Sequence, residues 1–230
     1  MTESPAGATP DEEYRLAAVD LLGVIAYGEL SAFERLAEDA KLAPTIEDKM
    51  AVGAMATAEF AHLQRVCERL TRLGADPGAA MRTFQPGFDA FHDHTAPADF
   101  YEGLIKAYVG DGLAADFYRE IAAYLDPETR EVIISSLENT GQSAEYIVRR
   151  VREGIREDHR LGGRLALWGR RLMGEALTQA QQVAGERDAL SALLAGGVDR
   201  PGLDLAALGR MFTRLTERHA ERMAALGLDA

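Results

Sequence analysis

Glu59 and His62 stand three residues apart in a stretch that otherwise reads as the oily face of a helix. At 100° per residue, Val52, Met55, Leu63, Val66, Leu70 and Leu73 all fall within about 40° of Glu59. An ionisable pair inside an apolar stripe is costly unless something compensates its charge. A metal ion is such a partner, because a carboxylate and an imidazole at i and i+3 can reach one ion from one helix face.

The same count finds two more carboxylates in apolar company. Glu29 shares its face with Ala18, Leu22, Ile25, Phe33, Leu36 and Ala40, whereas Glu34 points away. Asp111 shares its face with Phe100, Leu104, Ala107, Ala115, Tyr118 and Ala122, whereas Asp116 points away. No basic residue lies on either stripe. Glu29 and Glu59 are nearly equidistant from a loop near residue 43, and Asp111 is about as far from a second loop near residue 125. In an antiparallel hairpin equal distance from the loop means equal height. Glu29, Glu59, His62 and Asp111 are therefore expected in one layer.

A two-metal site needs a second Glu-x-x-His at about residues 138–142. The sequence there is Leu137-Glu138-Asn139-Thr140-Gly141-Gln142. Glu138 has the right height, but Gly141 stands where the imidazole belongs. Ile133, Ile134, Leu137, Ala144 and Val148 make the apolar face, with Glu138 at its edge and Gln142 and Glu145 on the same flank. Asn139 faces outward by this count. A lone histidine on an apolar face is more often a hydrogen-bonded core residue, but three carboxylates at its height shift the balance towards a present or ancestral metal site. Tyr27 and Tyr108 lie near the layer and read as core. His92 and His94 flank Asp93, a spacing that suits a loop or surface. His219 shares a face with Leu205, Leu208, Phe212 and Leu215 and reads as core.

The elements that must position these groups are all helical. Ala, Leu, Glu and Arg dominate, proline is scarce, and no β-branched alternation is present. Thr9-Pro10-Asp11-Glu12 starts a helix over about 10–41. Thr45 and Asp48 cap a second, which ends near residue 73 before Gly74. Residues 75–96 carry Pro77, Gly78, Pro86, Gly87, Phe84, Phe88 and Phe91, too long for a hairpin loop and too aromatic for a free linker. They read as a crossover packed along the bundle. Pro97 opens a third helix to about 125, and Asp126-Pro127-Glu128 caps a fourth to about 158. Short loop, long crossover, short loop is one of the known four-helix connectivities. At about 30 residues each helix is roughly 45 Å long. Residues 1–9 form a tail, 10–158 the bundle, and 159–230 a helical pair (about 163–194 and 203–226) packed on it, separated by Gly196-Gly197 and Pro201-Gly202.

The chain of 230 residues carries a formal net charge of -12, which argues against indiscriminate nucleic-acid binding. Eight arginines nevertheless crowd residues 149–171: 149, 150, 152, 156, 160, 164, 170 and 171. The plain reading is a solvated, salt-bridged surface. The sharper one is a phosphate landing site with Trp168 available for stacking. Cys67 cannot form an internal disulfide and reads as a small core residue. No signal peptide, lipidation motif or transmembrane segment is recognised, so a cytoplasmic protein without membrane attachment is expected.

Three stretches carry a family likeness: Tyr27-Gly28-Glu29-Leu30-Ser31-Ala32-Phe33-Glu34-Arg35-Leu36, Ala58-Glu59-Phe60-Ala61-His62, and Lys106-Ala107-Tyr108-Val109-Gly110-Asp111-Gly112. Through them the chain resembles the ferritin-like proteins, and among these the branch of tRNA-(methylthio-isopentenyl-adenosine) hydroxylases, over roughly residues 12–158. The resemblance implies an all-α ferritin-like bundle and a non-haem di-iron centre that activates O₂ and hydroxylates a modified tRNA base with an electron donor. It assigns Glu29 to the first-helix carboxylate, Glu59 and His62 to the second-helix pair, Asp111 to the usual third-helix Glu, and Glu138 to the fourth-helix carboxylate.

The expectation is a protein binding one or two iron ions, or manganese, through Glu29, Glu59, His62, Asp111 and Glu138, with Gln142, Glu145 or water in place of the missing histidine. It would act as a hydroxylase, with tRNA met through Arg149, Arg164, Arg170 and Arg171. The alternative is a degenerate bundle, with one metal or none, serving as a binding or regulatory partner. A homodimer is compatible with either.

Overall fold

The computed structural model describes residues 10–135, 140–186 and 205–229, and its regular elements there are all helices. Helix α1 (Pro10–Asp39) leads through a short 3₁₀ turn to α2 (Ile46–Arg72). The Thr45 hydroxyl accepts from the Asp48 amide at 3.0 Å, fixing the start of α2. Gly74, at φ 75°, ends that helix in the left-handed conformation that side chains disfavour.

The crossover is itself helical. It consists of α3 (Pro77–Arg82), capped by Asp76, and α4 (Gln85–His94). Phe84, Phe88, Phe91 and His92 recur at helical spacing, so their common face is carried along α1. Helix α5 (Phe100–Ile121) begins three residues later than Pro97 suggested, because the Asp99 carboxylate caps it by accepting from the Glu102 amide at 3.0 Å. Helices α6 (Pro127–Ser135) and α7 (Thr140–Glu157) occupy the expected fourth helix. The last two are α8 (His159–Glu186) and α9 (Leu205–Leu226).

The core has two parts. Leu36, Val52, Met55, Leu104, Ile105 and Val109 gather with α7, α8 and α9 residues such as Ile147, Val151, Leu165, Trp168 and Met223. Leu21, Leu22, Ile25, Leu63, Val66, Leu70, Tyr118, Ile121 and Ile133 make the other. On α1, α2 and α5 alike, the switch from one cluster to the other falls at the polar residues: between 27 and 36, between 56 and 63, and between 109 and 118. The carboxylate layer is thus sandwiched between two apolar blocks, which hold the three helices rigidly on both sides of it.

Ion pairs lock the outer helices. Asp48 accepts from Tyr146 at 2.6 Å and from Arg150 at 2.8 Å, tying α7 to the start of α2. Arg69 bonds Asp126, Thr129 and Glu128, tying α2 to α6. Asp116 does point away from the carboxylate layer, but not into solvent. It is buried and paired with Arg218 and Arg222 of α9, because α5 is covered on both faces. Helix α1 contains a window apolar enough to cross a bilayer, but 56% of that window is buried against its neighbours, as suits a bundle-core helix.

Candidate metal centre

Glu29 leaves α1 towards α2, where Glu59 and His62 sit on successive turns of one face. One ligand atom from each of Glu29, Glu59 and His62 lies within 4.8 Å of the others. His62 Nδ1 is 3.6 Å from Glu29 Oε2, longer than a hydrogen bond, and Nε2 is buried without any partner. Glu59 and Glu29 are hydrogen-bonded to each other. Asp111 lines the same cavity from α5.

Burial dominates the electrostatics. It raises Glu29 from the ordinary carboxylate range to about 7, against the bond from Glu59. It raises Glu59 to about 9, assisted by the hydrogen bond and charge of Glu29. Asp111 is pushed well up by burial and by Glu59. Burial lowers His62, leaving its imidazole neutral and fit to ligate. Arg65, one turn beyond His62 on α2, faces Glu29 and lowers it slightly; as it is half-buried, the sequence stripe did not reveal it.

A cavity of about 320 Å³ opens on this cluster. Phe88, Phe91, Phe117, Tyr118, Ile25, Leu36 and Ala107 form apolar walls. Tyr118 stands among the carboxylates, whose charges add to burial in raising its phenol. Towards the far end are Arg35, Asp39, His92 and Lys106. His92 therefore belongs to a helix and to the cavity wall, not to a surface loop. Its register with Phe84 and Phe88 was the signal that its pairing with His94 obscured. Lys106 and Arg35 had no such signal, because at 100° per residue they lie about 140° from Asp111 and about 120° from Glu29, off the apolar stripes.

Glu138 lies outside the described residues, and so does the side chain of Gln142. Glu145 faces an outer groove with Arg149, Arg152 and Arg156, so it is no substitute for the missing histidine. Ser143 is the contribution of α7 to the cavity among the described side chains. Tyr27 is bonded to Asp89 at 2.7 Å and is turned from the carboxylates. His219 is buried with both ring nitrogens unpartnered, in the core as expected. The arginine run is largely committed: Arg150 to Asp48, Arg164 to Asp99 and Glu102, Arg171 to the His94 carbonyl. Trp168 is buried and donates to the Glu102 carbonyl at 3.0 Å, so it offers no stacking surface.

Ligands bonded to one ion at about 2.0–2.2 Å stand roughly 3–4 Å apart, and the three ligand atoms here lie within 4.8 Å of one another. Two carboxylates and an imidazole whose Nε2 has no partner are a donor set that could hold a metal ion.

Residues 12–197 match a family described as "Ferritin-like domain, actinomycetes". That match continues past residue 158 into α8 and beyond. No curated protein matches the sequence. Among solved structures, a protein from Synechococcus described as having aldehyde deformylating oxidase activity superposes with a TM-score of 0.68 at 18% identity, covering 95% of this chain and 93% of the other. At that identity the likeness concerns the fold.

Proposed function

This chain belongs to the ferritin-like domain family of actinomycetes, and on that premise we propose that it is a metal-dependent oxidoreductase acting on a small molecule held in the cavity above Glu29, Glu59 and His62. The observation that carries the reading is the convergence of two carboxylates and an unpartnered imidazole at the floor of an aromatic-walled cavity. A fold built only for packing would not keep ionisable groups there, because buried unpaired charge destabilises it.

Iron is the metal the donor set and fold suggest first, with manganese second; both accept mixed carboxylate and imidazole ligands. Glu29, Glu59 and His62 would hold one ion, and Asp111 faces it from α5. Such an ion, with open positions, would supply O₂ activation for oxidising a bound substrate, with electrons from an external donor. The protein's own part is clear from the surroundings. Two apolar blocks flank the carboxylate layer, and Tyr118 places its phenol among the carboxylates.

A modified tRNA base is the finer substrate that the family likeness brings forward. Arg149 and Arg170 are exposed and could meet phosphate, but Arg164 is engaged within the fold and Trp168 is covered. The aromatic-walled cavity of about 320 Å³ favours a small molecule, and absence of a tRNA complex in a low-salt electrophoretic shift would remove the tRNA branch. Metal analysis of protein purified without chelator, followed by O₂ uptake with a reductant, tests the main reading. Iron or manganese near one ion per chain with reductant-dependent uptake supports it. Metal-free protein that takes up no added Fe(II) leaves the degenerate-bundle alternative.

A further inference from the structure

The far end of the cavity carries two cationic side chains, and part of its hydrogen-bonding capacity is unused. Arg35 on α1, His92 on α4 and Lys106 on α5 all line it. Arg35 Nε and His92 Nδ1 are buried with no hydrogen-bond partner. Lys106 is buried, yet its ammonium is shown with one hydrogen bond, 2.9 Å to the Thr95 carbonyl, and lies 5.6 Å from the Phe91 ring centre. An ammonium carries three donors, so capacity remains. Asp39 is the carboxylate on this part of the wall, and Glu38 meets Arg35 from the solvent side at 3.0 Å. Three side chains from three helices line this space with hydrogen-bonding capacity left over, and unsatisfied buried polar atoms are unusual in native folds.

We infer that this end is a subsite for the carboxylate of a substrate whose apolar body lies along the aromatic walls towards Glu29, Glu59 and His62. The inference rests on the small-molecule reading above and adds the substrate's class. Burial and the two neighbouring cations hold His92 down to about 3, and burial lowers Lys106 to about 8; an anion seated between them would oppose both effects. Asp39, raised to about 6 chiefly by burial, offsets part of the positive charge and discourages a dianion such as phosphate.

The helices also supply a ruler. Arg35 follows Glu29 by six residues on α1, and Lys106 precedes Asp111 by five on the antiparallel α5. At 1.5 Å per residue the anchor lies about 8–9 Å from the carboxylate layer. The carbon presented to the metal-ligating end is then several bonds from the carboxylate, in the middle of the chain or on a ring attached to it. Oxidation at a carbon adjacent to the carboxylate would not fit this spacing.

The test is calorimetric binding of decanoate and 4-phenylbutanoate to the full-length protein, set against decanol and 4-phenylbutanol, with metal content measured on the same samples. At least one acid should bind at least tenfold more tightly than its alcohol. Arg35→Gln and Lys106→Met should each erase most of that preference, and Lys106→Arg should restore part of it. Circular dichroism shows whether each variant is folded; the half-exposed Arg35 keeps the test alive should Lys106→Met fail to fold. His62→Ala should lose metal but keep the acid preference, which rules out the metal itself as the anion's partner. Alcohols binding as well as the acids, or an acid preference unmoved by Arg35→Gln, overturns the subsite. If metal is absent yet the acid preference holds, the metal reading fails and the anion subsite stands; metal present with no acid preference is the reverse.

Discussion

Replacing Glu59 with Gln should stabilise the metal-free protein while weakening its hold on metal. Glu59 is raised from 4.5 to about 9 and Glu29 to about 7, both chiefly by burial. A carboxylate with a raised folded-state value binds more protons folded than unfolded, so its contribution to stability is present below pH 4.5 and is lost as pH rises through the folded values. The metal-free protein should therefore lose stability between about pH 5 and pH 9. At pH 8 the raised value of Glu59 acts over about 3.5 pH units, from 4.5 to 8. The ideal cost is ~5 kcal/mol at 1.36 kcal/mol per unit, and access of water to the cavity reduces it to ~2. An amide keeps the shape and removes the charge, so the chelator-treated Glu59→Gln protein should melt roughly 4–8 °C higher at pH 8. Its melting temperature should also vary less with pH than that of the parent. Adding Fe(II) anaerobically should raise the parent's melting temperature and move the variant's far less. A parent whose stability is flat from pH 5 to pH 9, or a variant that melts lower without metal, refutes the reasoning.

His62→Ala should remove most bound metal, measured by emission spectroscopy on protein purified without chelator; unchanged content would place the ion elsewhere. Asp116→Ala strands Arg222 beneath α9 and should cost roughly 2–4 kcal/mol in urea unfolding, with metal content unchanged because Asp116 lies off the cavity. Gly23→Ala puts a methyl 2.8 Å from the Ala80 carbonyl oxygen and 3.1 Å from the Phe84 ring, and should lower stability by about 1–3 kcal/mol despite alanine's better helix propensity.

The sequence carried the four-helix frame because its caps and apolar stripes are local signals. Thr45 and Asp126 hold side chains that bond backbone amides close by, and Glu29, Glu59 and His62 are polar where the helical period demands apolar residues. What was not legible depends on packing from a second side. Asp116 reads as outward on a wheel that knows one buried face, but α9 covers the other. Lys106 and Arg35 lie off the apolar stripes on the wheel, yet Lys106 packs under Phe91 of α4 and both line the cavity. The crossover showed its aromatics but not its helices, since Pro86 and Gly87 punctuate it like a loop; proline at the start of α4 suits a helix as well as it ends one. Trp168 looked available among arginines, yet the same residues pack α8 onto α5 through a hydrogen bond to the Glu102 carbonyl.

The most direct test of the metal centre is diffraction at the iron absorption edge from crystals grown anaerobically with Fe(II). The account predicts an anomalous peak bonded at about 2.2 Å to oxygens of Glu29 and Glu59 and to a ring nitrogen of His62, with Asp111 facing it across the cavity. A peak seated elsewhere, or none in crystals shown by analysis to contain no bound iron, would contradict it.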